Sequence, residues 1–197
     1  MGLPAIPTGL RLLGLTGAPG AGKSTTAALL GLPVVPMDGF HYADVELRRR
    51  GLLERKGAPE TFDAPGYAVL LRRVAAGEPD VVAPAFERDL EQPLAGAIAV
   101  PAEGTVVTEG NYLLLDEPRW HAVRASIEVV WHLHVDDAVR RERLVARHVR
   151  FGKTPEEARA WVARVDEPNA RLVEAAAARA DVRSEEHTSE LQSPMYL

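Results

Sequence analysis

The chain has 197 residues, no cysteine and a formal net charge of −5 at neutral pH. That length fits one α/β domain with a full core, and the missing thiols exclude disulfides and thiolate metal sites. The acidic balance argues against nucleic acid as a general partner, and no apolar run is long enough to span a bilayer. Residues 1–10 lack the basic region and long apolar core of a signal peptide, so a cytoplasmic location is expected. Residues 11–15, Arg-Leu-Leu-Gly-Leu, predict a short buried strand, followed by a glycine-rich loop and, from Thr25 to Leu30, the first turns of a helix. Residues 33–37 predict a second strand. Tyr67, Leu70, Leu71 and Val74 keep helical spacing after Pro65-Gly66. Residues 81–83 and 97–100 are strand candidates flanking an excursion, and residues 105–109 and 129–135 are longer apolar strands. Two helices follow, the second opened by Thr154-Pro155-Glu156-Glu157, a capping box with proline at the first helical position. An alanine-rich helix then runs into the start of a strand at Ala180-Asp181-Val182. Alternating strands and helices predict an α/β fold, a mostly parallel sheet covered on both faces, with neither internal repeat nor interdomain linker.

The loop carries the most specific chemistry. Gly17-Ala18-Pro19-Gly20-Ala21-Gly22-Lys23-Ser24-Thr25 fills the G-x-x-x-x-G-K-[S/T] phosphate-loop pattern between a strand and a helix, the context that pattern requires. Glycines let successive N–H groups turn inward around a polyphosphate, and the helix N-terminus adds its positive dipole end. In this reading Lys23 reaches the β- and γ-phosphates of ATP and the Ser24 hydroxyl holds Mg²⁺. A glycine-rich turn that binds nothing is the bland alternative. Glu109 and Asp38 each end an apolar stretch. At the carboxyl edge of a parallel sheet such carboxylates point into the ligand crevice, and singly each could equally be a capping or turn residue. Glu109 is the candidate second metal group and Asp38 the candidate base. Arg140, Arg143, Arg147 and Arg150 are spaced three, four and three apart, on one helix face that leads through Phe151-Gly152 to Lys153. Such a segment could close over ATP as an arginine-rich lid, or be an ordinary solvated basic face. Six histidines are scattered without a paired metal spacing.

Taken in order, the phosphate loop, Met37-Asp38-Gly39-Phe40-His41, Lys56-Gly57-Ala58-Pro59-Glu60-Thr61-Phe62-Asp63, Pro84-Ala85-Phe86-Glu87-Arg88, Glu109-Gly110-Asn111-Tyr112 and the arginine-rich segment resemble the uridine kinase, phosphoribulokinase and bacterial pantothenate kinase group. More narrowly, they resemble its nucleoside/nucleotide kinase-like branch, which includes fructose-transport-associated kinases. The resemblance implies a P-loop NTPase fold, ATP and Mg²⁺, and transfer of the γ-phosphate to a hydroxyl of a small metabolite. It implies Asp38 as base, Lys23 and Arg147 on the transferred group, Glu109 beside the metal, and Arg150 and Lys153 at the lid tip. His41, Arg88, Asn111 and Tyr112, beside those motifs, are candidate substrate contacts. Uridine kinases carry a Phe-Asp-His-Pro run where this chain has Lys56-Gly57-Ala58-Pro59, and the Lys-Gly-x-Pro-Glu-Thr-Phe-Asp run looks more like pantothenate kinases, which are longer chains. The acceptor therefore stays open among nucleosides, sugars and pantothenate-like molecules, as does a homodimer. A nucleotide-binding regulatory ATPase is the alternative from another class. Residues 183–193 break into polar residues without periodicity and resemble one reading frame of a sequencing-library adapter. A kinase domain over 1–182 and a non-native, disordered tail over 183–197 are expected.

Overall fold

A computed structural model describes residues 3–185. The centre of the fold is β1, Leu12–Thr16, in which all five residues are buried. Only a strand covered on both faces tolerates such a run, and β1 is paired in parallel on both edges. On one side lies β5 (Val106–Glu109) and beyond it β2 (Val34–Pro36); on the other lie β6 (Val129–His134) and β7 (Val182–Glu185), giving the order β2-β5-β1-β6-β7. Strand alternation splits the core in two. Leu12 joins Val35, Val106 and Val130 beneath α3 (Ala64–Ala75) and α4 (Pro118–Ala125), whereas Leu13 and Leu15 meet Ala27 of α1 (Lys23–Leu30), Val107 and Trp131 on the opposite face. Two buried hydroxyls fit because each has a partner: Tyr67 meets the Thr108 hydroxyl, and Thr108 Oγ1 donates to Val35 O at 2.8 Å.

Several elements depart from the sequence expectation. Residues 81–83 and 97–100 belong to one long antiparallel hairpin, β3 (Val81–Glu87) and β4 (Gln92–Val100), which forms its own two-stranded sheet. Two helices were not foreseen, α2 (Asp44–Arg50) and α4. Each buries only one or two side chains, Leu47 in the first and Trp120 and Val123 in the second, too few to print a helical period on the sequence. Strand β2 ends at Pro36, so Asp38 stands in a 3₁₀ turn, Met37–Phe40, two residues past the strand.

The expected boundary at Val182 moves. Pairing runs on through Arg183, Ser184 and Glu185, in register with His132, Leu133 and His134. Edge pairing draws on main-chain N–H and C=O groups, which polar residues supply as well as apolar ones, and Arg183 Nε also donates to Ala177 O at 3.1 Å. The rest of the expected tail, residues 186–197, lies outside the described residues.

The entry to β7 hangs on Asp181. Its Oδ2 accepts from Val130 N at 2.7 Å and from Arg124 Nη2 at 2.9 Å, while its own N–H donates to Val130 O at 3.0 Å. Alanine at 181 strands a partly buried N–H, a loss of about 1–3 kcal/mol. The expected outcome is a lower urea midpoint at unchanged slope. An unchanged midpoint would show that solvent replaces the carboxylate.

Candidate active site

All five parallel strands point their carboxyl ends to one edge, and the site is built there. The turn from β1 into α1 ends on Gly22, whose φ of 84° is costly for any side chain. The first helical bond, Thr26 N to Gly22 O at 2.9 Å, leaves the N–H groups of Lys23, Ser24 and Thr25 without a carbonyl one turn earlier. Lys23 folds back into the loop, donating to Gly17 O at 2.9 Å and Ala18 O at 3.2 Å, and is only 8% exposed. Burial lowers its pKa, while the Glu109 and Asp38 carboxylates act in the opposite sense. Ser24 Oγ donates to Glu109 Oε1 at 3.4 Å. Glu109, the last residue of β5, has its pKa raised by burial and by the Asp38 charge against the pull of Lys23. A hydroxyl and a carboxylate in contact beside a phosphate loop form a donor set suited to Mg²⁺.

Asp38 projects from its turn because Gly39 lets the hairpin pass close behind. A Cβ at 39 would lie 2.3 Å from Pro84 O. That approach sets the end of β3 beside the carboxylate, with Arg88 Nη2 3.7 Å from Asp38 Oδ2. His41 Nδ1 donates to Asp38 O at 2.8 Å, the carbonyl being able only to accept, and its ring packs against Phe62 and Phe86 with centroids 3.9 and 4.9 Å away. Burial lowers the His41 pKa, partly offset by Asp38. A cleft of about 530 Å³ opens in front of this group, with Asp38, Phe86 and Arg88 on one wall and Arg147, Lys153 and Trp161 on the other.

The structure sorts the remaining candidates. Arg147 and Lys153 face the cleft, the latter with Nζ 4.6 Å from the Trp161 ring centroid, whereas Arg150 is exposed and does not line it. Arg143 lies beside Gly22 of the loop. Arg140 leaves the expected basic face: it is 2% exposed and paired with Asp137 and Glu167, so it ties α5 (Asp137–Arg150) to α7 (Glu167–Ala176). A guanidinium facing the body of the protein needs carboxylates, and helical spacing alone could not reveal that α7 supplies one. Tyr112 is also turned inward, against Phe62 and Trp120, its hydroxyl donating to Gly57 O at 2.6 Å. Asn111 receives Thr16 Oγ1 on its backbone carbonyl at 3.0 Å. Two parts went unread in the sequence. Lys56 bonds Asp44 Oδ1 at 2.8 Å and the Glu91 carbonyl, bracing the hairpin tip. His148, which lines the cleft, meets Asp166 Oδ2 through Nε2 at 2.8 Å. An acid amid an apolar helical pattern, Val162 to Val165, was the one available signal for Asp166.

A phosphate loop at the centre of a parallel sheet of this order, facing carboxylates from two neighbouring strand ends, defines the P-loop NTPase fold. No family model matches the chain. A candidate fructose transport system kinase from Silicibacter sp. TM1040 superposes with a TM-score of 0.80 at 40% identity, over 92% of this chain and 93% of that one. A candidate uridine kinase of Schizosaccharomyces pombe is 35% identical over 182 residues, 83% of this chain and 77% of that protein. The pantothenate kinase of Limosilactobacillus reuteri is 33% identical over 138 residues, 64% of this chain but 44% of that enzyme. The chain belongs to the P-loop kinases of the uridine kinase and pantothenate kinase group.

The raised pKa of Glu109 carries a sign. A carboxyl whose folded pKa lies above its ordinary 4.5 binds its proton more tightly when folded, so stability falls as pH rises through that interval despite the attraction of Lys23. Glu109→Gln should therefore raise the melting temperature of the ligand-free protein at neutral pH, with the gain vanishing below about pH 4.5. Melts of both proteins across pH test this. A destabilised variant at neutral pH would mean that the ionised carboxylate holds the loop together.

Proposed function

We propose that this chain is an ATP- and Mg²⁺-dependent kinase that transfers the γ-phosphate to a hydroxyl of a small metabolite. The observation that carries this reading is Asp38. Its half-buried carboxylate stands at the mouth of the cleft, close enough to Lys23 and Glu109 to shift both their pKa values, and a cleft of about 530 Å³ has room for a small acceptor. A nucleotide-sensing switch needs no acid aimed at a second compartment.

Bound ATP would supply the phosphoryl group, with Mg²⁺ neutralising its charge. The N–H groups of Lys23, Ser24 and Thr25 and the Lys23 ammonium would hold the phosphates, exchanging the carbonyls of Gly17 and Ala18 for phosphate oxygens. Ser24 Oγ and Glu109 would hold the metal. Asp38 accepts the proton of the acceptor hydroxyl, and the Arg88 guanidinium beside it keeps the carboxylate oriented. Arg147 and Lys153 bring positive charge from the lid wall and exclude water when the lid closes. The similar proteins named for uridine, pantothenate and fructose transport all suggest hydroxylated metabolites as acceptors.

An ATP-consumption screen against nucleosides, sugars, pantothenate and glycerate tests the reading, and acceptor-independent turnover alone would favour the regulatory ATPase. Lys23→Ala should lower turnover by about a hundredfold or more while the fold persists, since its charge serves the ligand. Asp38→Asn should keep nucleotide affinity and lose roughly 10²–10⁴ in transfer rate. Collapse of nucleotide affinity with normal residual turnover would make Asp38 a metal or structural group.

A further inference from the structure

Asp166 is a buried acid that the proposed chemistry leaves without a task. It closes a π-helical segment, Val162–Asp166, inserted between α6 (Pro155–Trp161) and α7, and is 7% exposed. Such wide turns recur at functional sites, and a carboxylate at that depth requires a partner. Its partner is His148 on α5, the residue after Arg147, with Nε2 2.8 Å from Asp166 Oδ2. A carboxylate only accepts, so Nε2 carries the hydrogen, and in the neutral ring Nδ1 is left as a bare acceptor. Among the described residues nothing donates to Nδ1. His148 lines the same cleft as Asp38, its side chain 17% exposed, with the Trp161 ring centroid 6.2 Å from its own. Asp38 thus lines the hairpin side of the cleft and His148 the lid side, with Nε2 of His148 occupied by Asp166 and Nδ1 its remaining polar atom.

We propose that His148, oriented by Asp166, is a specificity-determining residue that accepts a hydrogen bond from a second hydroxyl of the phosphate acceptor, so that the substrate class is a polyhydroxylated metabolite. This rests on the kinase reading above. In His148→Asn the side-chain oxygen stands near the place of Nδ1, whereas in His148→Gln the amide stands near Nε2 and keeps only the contact with Asp166. In Asp166→Asn the amide can donate to Nε2, which moves the ring hydrogen to Nδ1 and removes the acceptor.

The test measures KM for ATP and for whichever of uridine, fructose, pantothenate and glycerate supports turnover, in wild type and the three variants, with melting temperatures alongside. His148→Gln and Asp166→Asn should raise the acceptor KM by about tenfold and leave the ATP KM in place, as expected for one lost neutral hydrogen bond, while His148→Asn stays within about threefold of wild type. On ¹⁵N-histidine protein, the Nδ1 resonance that is missing from the His148→Asn spectrum should shift on adding that acceptor. Unchanged acceptor KM in all variants, or parallel losses for ATP and acceptor, overturns the inference and leaves the kinase reading standing. Wild-type ATP consumption that no acceptor in the set alters counts against the kinase reading itself, and the inference falls with it.

Discussion

Lys23 Nζ sits almost wholly out of water, between two loop carbonyls and the fields of two carboxylates, and the rest of the catalytic edge is arranged around keeping a charge there. Burial alone disfavours the charged ammonium. The loop carbonyls of Gly17 and Ala18 offset part of that cost by direct hydrogen bonds, and Glu109 and Asp38 offset more through space. The arrangement is reciprocal, since Glu109 is itself burdened by burial and by Asp38 and relieved by Lys23. Arg88 beside Asp38 and Arg147 acting on Lys23 add further cations, so acids and cations alternate around the crevice.

Topology decides that these three groups meet. Strand β1 lies between β5 and β6, with β2 beyond β5, so the loop leaving β1 and the residues ending β2 and β5 converge on one crevice although they are far apart in sequence. The register adds the fine placement: Leu15 is level with Glu109, and Pro36 is level with Glu109 from the other side. Asp38, two residues past Pro36, is thereby delivered next to the carboxylate that ends β5. Gly110 serves the same end, since a Cβ there would lie 2.4 Å from the Met37 Cβ.

What could be read from residues alone follows the range of the forces involved. The phosphate loop, the apolar strands 105–109 and 129–135 and the Thr154 capping box are local: their hydrogen bonds and periods close within a few residues, and the capping box is present with both of its bonds. Asp38 and Glu109 were legible because strand ends in a parallel sheet share one edge. Arg140 and Tyr112 were not, because helical spacing and motif adjacency cannot say which side chains another element will bury. Arg140 is claimed by Glu167, and Tyr112 by Phe62 and Trp120. The His148–Asp166 pair spans 18 residues and a π-helical register change, which a 3.6-residue period conceals.

The cleft has two kinds of wall. Phosphate-side groups come from the sheet edge, where every residue of β1 is buried and a substitution disturbs the core. The groups that line the cleft away from that edge come from outlying pieces: Phe86 and Arg88 from a hairpin that forms a separate two-stranded sheet, and Arg147, His148, Lys153 and Trp161 from α5 and the segments after it. The base of the hairpin is seated in the core by Val81, Ala83 and Val100, its tip is braced by Lys56, which bonds Asp44 and the Glu91 carbonyl, and α5 is tied to α7 by Arg140 and Glu167. A change at the hairpin tip or on the lid face can therefore reshape that wall of the cleft while the sheet edge keeps its geometry. A search for what sets acceptor choice in this chain therefore starts with the residues that depart from the sheet.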